Sequence, residues 1–131
     1  MLEYLESQVF SKIKYGIPDS AKQKYPDLEF STNDQSTDSA HFPYVYVHLM
    51  GSPEISKDLD RTTINGVAAT FQIEVSDNVS QTRARTIMNE VVKVMKRMMF
   101  DVTMMPYFMN YNKVFRCVAR FSRNIDYNDV L

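Results

Sequence analysis

Between Val67 and Ser76 apolar and polar residues alternate: Val67, Ala69, Phe71, Ile73 and Val75 take one parity, and Thr70, Gln72, Glu74 and Ser76 the other. That is the period of a β-strand with one face toward water. From Ser80 the period lengthens. At about 100° per residue, Ala84, Ile87, Met88, Val91, Val92, Val94, Met95, Met98 and Met99 fall on one arc, and Arg83, Arg85, Thr86, Asn89, Glu90, Lys93, Lys96 and Arg97 fill the rest. The pattern predicts a strand feeding an amphipathic helix that ends near Phe100-Asp101. Ser76 to Ser80 offers several caps for it, with Ser80 the best placed.

The same reading extends to both sides. Leu2, Leu5, Val9, Ile13 and Ile17 recur at spacings of three and four, predicting a helix from Leu2 to Tyr15 that Gly16 and Pro18 bring to an end. Leu28 to Thr32 suits a short strand, and the polar, turn-forming run at 33–39 an exposed loop. Tyr44 to Met50 alternates Val45, Val47 and Leu49 with Tyr44, Tyr46 and His48, a strand whose second face is amphipathic and calls for a cover. Asn65-Gly66 between short apolar runs predicts a tight hairpin turn, because both turn residues must accept positive φ. Met104-Met105-Pro106 opens an apolar return segment. Val114 to Ile125 reads as the last strand, with Phe115, Cys117, Ala119 and Phe121 on one face and Arg116, Arg120 and Ser122 on the other, before a polar end. Together these elements predict an α+β fold: a mostly antiparallel mixed sheet backed by two amphipathic helices. One domain over residues 1–131 is expected, with exposed loop or hairpin segments at 33–39 and 51–66.

Charge adds an asymmetry that the total hides. Fifteen Lys and Arg against sixteen Asp and Glu give a net charge of -1, which removes bulk basicity as an argument for nucleic acid or an anionic membrane. Residues 1–60 carry ten acids and five bases, whereas residues 61–131 carry ten bases and six acids. Such a dipolar chain either scatters its charges over a solvated surface or stacks head to tail. No apolar run reaches membrane-spanning length, and the acidic start, Met1 to Glu6, is unlike a secretory signal. The single cysteine, Cys117, lies in an apolar strand pattern and is expected to be a buried small hydrophobe in a reducing compartment.

Few residues are arranged for chemistry. Gly16, Gly51 and Gly66 are too far apart for a phosphate-cradling loop, and one cysteine with His41 and His48 cannot build a structural zinc site. Asp58, Asp60, Glu74 and Asp77 are the carboxylates that a metal-dependent nuclease would need to converge, although alternation turns Glu74 outward and Asp77 suits a helix cap. No catalytic residue, cofactor or metal site is expected, and the chain is not read as an enzyme. Nine methionines, several near Met104, Met105 and Met109, suit either an adaptable core or a repackable assembly surface. Arg116, Arg120 and Arg123 on the wet side of the last strand, with Arg83, Lys93 and Arg97 on the helix, make a candidate basic surface. It would be a solvent coat, a monomeric module for nucleic acid, or, repeated around a ring, a positive band facing DNA phosphates or an acidic neighbour.

The overall pattern resembles the tail terminator, or tail completion, proteins of long-tailed bacteriophages. The matching features are the first amphipathic helix, the polar loop ahead of Phe42-Pro43-Tyr44-Val45-Tyr46-Val47, and the Thr70-Phe71-Gln72-Ile73-Glu74-Val75 strand. They continue with the helix of Ala84, Ile87, Met88, Val94 and Met95, and the apolar-basic strand from Val114 to Asp126. The resemblance implies a virion protein, assembled in the host cytoplasm, that forms a ring, hexameric in the family, at the head-tail junction. Such a ring sits on the last ring of the tail tube, ends its polymerisation and presents a docking surface to the neck or head-completion protein. DNA passes through the lumen without sequence-specific contacts. A neck adaptor protein is the alternative. For subunit and tube contacts the candidates are Asn33, Asp38, Asp58, Asp60, Arg61 and Asn65, on segments expected to be exposed.

Overall fold

Strand alternation decides which face of the sheet becomes the core. The computed structural model describes residues 5–32, 42–51, 54–57, 64–126 and 131, and the described residues form three helices and six strands. They run in the order α1 (Leu5–Gly16), α2 (Asp19–Lys24), β1 (Glu29–Ser31), β2 (Tyr44–Gly51), β3 (Glu54–Lys57), β4 (Ile64–Asp77), α3 (Gln81–Arg97), β5 (Asp101–Phe108) and β6 (Phe115–Asp126). The strands make one sheet ordered β1-β2-β4-β6-β5, with β3 also on β4. Among the described residues only β1 and β2 pair in parallel; the other pairings are antiparallel. This is the α+β arrangement that periodicity predicts.

The odd-numbered row of β4 faces the helices. Ala69, Phe71, Ile73 and Val75 are buried there, and register places Phe121, Ala119 and Cys117 of β6 beside the last three. Onto this row α3 lays Ala84, Ile87, Met88, Val91, Val94 and Met95, and α1 lays Leu5, Val9 and Ile13. Each such side chain contributes about 1.5–3 kcal/mol on burial before chain entropy is subtracted. Phe71 and Phe100 meet edge to face at 5.7 Å, and Gly16 lets α1 close on α3, since a Cβ there would stand 3.1 Å from Val94 Cγ2.

Both ends of α3 are chemically finished. Ser80 Oγ accepts from Arg83 N at 3.0 Å, the expected N-cap, and Asp77 Oδ2 accepts from Ser80 N at 3.0 Å. At the other end Met99 N donates to Lys96 O and Phe100 N to Met95 O, both at 3.0 Å, while Met99 takes φ 67°. This is a Schellman closure with methionine where glycine is usual. It ends the helix earlier than the apolar arc suggests, and it turns Met99 out of that arc to 72% exposure.

The hairpin expectation at Asn65-Gly66 is corrected. Both residues lie inside β4, where Gly66 faces Asp126 of β6 and Ser56 of β3 at an irregular register, and no described glycine has positive φ. The tight turn is elsewhere. Asn112 and Lys113 have φ 50° and 63°, and Tyr111 and Val114 exchange hydrogen bonds at 3.0 and 2.9 Å across them, as a two-residue primed turn between β5 and β6 requires. The helix α2 and the strand β3 are further elements that the periodicity did not reveal. The proposed exposed segment at 33–39 and residues 58–63 lie outside the described residues.

Candidate interface surfaces

On β2, β4 and β6 the second face of the sheet carries the even-numbered residues, joined by Glu29 and Ser31 of β1 and by Tyr107 and Met109 at β5, and the helices pack on the other side. Its side chains hold one another in place. Thr70 Oγ1 and Ser122 Oγ lie 2.9 Å apart, Arg120 Nε donates to Gln72 Oε1 at 3.0 Å, and Arg116 Nη1 stands 3.7 Å from Glu74 Oε1. Tyr46 and His48 stack with ring centres 5.7 Å apart. Tyr44 and Val118 on this parity are nevertheless buried, so the amphipathic face expected of β2 is partly covered by its own neighbours.

The six candidate basic residues do not make one surface. Arg116 and Arg120 lie on the open sheet face, half-buried and engaged as above. Arg83 lies over the ring of Tyr25 at 5.2 Å, its Nε 3.4 Å from Asp77 Oδ2, close enough for an ion pair but out of hydrogen-bond alignment. Lys93 and Arg97 are exposed on α3, where Lys93 Nζ meets Glu90 Oε1 at 3.1 Å and Arg97 Nε donates to Lys93 O. Arg123 is a correction: it shares the parity of Phe121 and sits on the helix side, where Nη1 donates to Met98 O at 2.8 Å.

The carboxylates diverge as well. Glu74 is on the open face with Arg116, whereas Asp77 is fully buried on the helix side, capping α3, so the two do not share an ion. Among the described residues no three His, Cys, Asp or Glu side chains come together at metal-binding range. Cys117 is buried, and burial pushes its thiol above the ordinary range against a smaller opposing pull from Arg85. Of the proposed contact residues, Asn33, Asp38, Asp58, Asp60 and Arg61 lie outside the described residues, and Asn65 is placed only by its backbone within β4.

The surface that stands out is the β5 edge. Met105, Tyr107, Met109 and Tyr111 are exposed there, with Met105 at 72% and Tyr111 at 76%. Met104 is half-buried beside Arg120, so of the three methionines only Met105 and Met109 are exposed. The two tyrosines of this edge were missed, although their alternation with the methionines was there to read. Beside them Met109, Asn110, Tyr111, Val114 and Arg116 line an open cleft of about 450 Å³. Pro106, which lacks an N–H, falls where the β5–β6 register skips between Met104 and Tyr107. No helix of the described residues is long and apolar enough to cross a membrane. Neither a family model nor a curated protein matches the chain.

Proposed function

We propose that this chain is a structural virion protein of the tail terminator kind, a ring that caps the phage tail tube, ends its polymerisation and offers the neck of the head a docking surface. The observation that carries the reading is the β5 edge, where four large side chains, Met105, Tyr107, Met109 and Tyr111, stand in solvent on a rigid sheet. A patch of that composition is what an assembling subunit covers. The resemblance along nearly the whole chain supplies the rest: six copies, the tube protein on one side, the head-completion protein on the other, and DNA in the lumen. The mechanism is steric. One ring face is complementary to the tube and the other cannot nucleate a further tube ring.

The test is to add the purified chain to growing tail tubes and measure their lengths by electron microscopy. Tubes that stop short, each with added density at one end, bear the reading out. Tubes that keep growing while the chain binds neck or portal complexes would make it a neck adaptor instead.

A further inference from the structure

The two outermost strands lie level, with the acids Asp27 and Glu29 beside and on β1 and the bases Lys113 and Arg116 in and after the turn that follows β5. From Tyr25 to Ser56, the span that holds β1 and β2, there are five acids and no Lys or Arg. From Asp101 to Asp126, the span of β5, its turn and β6, there are four Lys and Arg, of which Arg120 and Arg123 are engaged with Gln72 and Met98, and an acid at each end. Within these spans β1 is the outermost strand on one side of the sheet and β5 on the other, and the acids placed at β1 are Asp27 and Glu29. Among the described residues neither strand has a second strand partner.

Register sets them at the same height. Glu29 pairs with Tyr44, Tyr44 with Ser76 and Ser76 with Arg116, whose oxygen accepts from Met109 N at 2.8 Å. Likewise Ser31 leads through Tyr46, Glu74 and Val118 to Tyr107. The three residues of β1 therefore lie level with Tyr107, Phe108 and Met109, roughly 19 Å away at four strand spacings. That strip is bounded by the register break at Pro106 on one side and by the Asn112-Lys113 turn on the other. A sideways repeat of the sheet brings one three-residue edge against the other without vertical offset.

We infer that the β5 edge of one copy docks on the β1 edge of a second copy, head to tail. Tyr107 and Met109 meet the β1 strip, and Lys113 and Arg116 approach Asp27 and Glu29. The contact is heterologous, so repetition closes a ring or extends a filament according to the rotation between copies. It deepens the ring reading and rests on it for its biological setting. The surface differs from the 33–39 and 51–66 segments favoured by sequence.

Two variants block one edge each: Met109→Asp with Lys113→Glu at the end of β5 and in its turn, and Asp27→Lys with Glu29→Lys beside and on β1. Circular dichroism confirms that each is folded, and sedimentation follows association at low and high salt. The expected result is that the wild type associates beyond a dimer, less at high salt. Each blocked variant alone associates at least about tenfold more weakly, and an equimolar mixture of the two stops at a dimer, since only one intact edge of each remains. A wild type that stays monomeric overturns the inference, as does a blocked variant that self-associates like the wild type or a mixture that stays monomeric. So does a monomer that instead binds a single-stranded oligonucleotide through the β5 edge. Association through these edges by a chain that ignores tail tubes would remove the terminator reading alone. Tube capping by both blocked variants would remove the edge contact alone.

Discussion

Arg123 Nη1 donates to the main-chain oxygen of Met98, so the last strand holds the end of the helix packed across it. The carbonyl is one of the orphans at a helix C-terminus, and a cation there also complements the helix dipole. Replacing Arg123 with alanine should lower stability by about 1–2 kcal/mol, measured by chemical denaturation. Lysine, with its charge but without the planar fork, should recover part of the loss. Equal stability of wild type and Arg123→Ala would show that water serves Met98 as well.

Met99 occupies the left-handed position that closes α3, and its side chain is exposed. The strain of that conformation is not offset by burial. Met99→Gly should therefore stabilise the fold by about 1 kcal/mol, seen as a higher thermal midpoint. A lower midpoint would mean that the methionine has contacts worth more than its strain.

Cys117 is buried, and its thiol is held above the ordinary value, chiefly by desolvation. In the folded chain it should react with a thiol reagent far more slowly than in denaturant. The sign for stability follows from the raised value. Above about pH 8.5 the unfolded chain loses the thiol proton before the folded one does, so the contribution intact at lower pH fades as pH rises. Above about pH 8.5 wild-type stability should fall more steeply with pH than that of Cys117→Ala. Parallel curves would show that Cys117 does not titrate differently in the two states.

Periodicity carried the architecture wherever one face of an element is wet. The central strand, both long helices and the last strand stand where their alternation put them. It failed where tertiary pairing outweighs local preference. Asn65-Gly66 favours a turn, but β3 and β6 both pair with that stretch of β4, and the ladder bonds keep it extended. The real turn pairs Asn112, which tolerates positive φ, with Lys113, which does not, so the sequence signalled it only weakly. The charge of Arg123 suggests water, whereas strict alternation with Phe121 puts it inward, where the end of α3 offers it the Met98 carbonyl. The β5 edge was half visible through its methionines. Its tyrosines gain meaning only once β5 is known to be the outermost strand.

Pro106 gives that edge an origin. A uniform strand edge can be read from many starting points, and partners can slip along it two residues at a time. Here the interruption between Met104 and Tyr107 leaves a short strip with two dissimilar ends, one a proline and the other a turn. A neighbour that fits such a strip fits it in one position. Repeated association would then accumulate no slippage from copy to copy, which is the property a closed circle of subunits demands and an amorphous aggregate lacks.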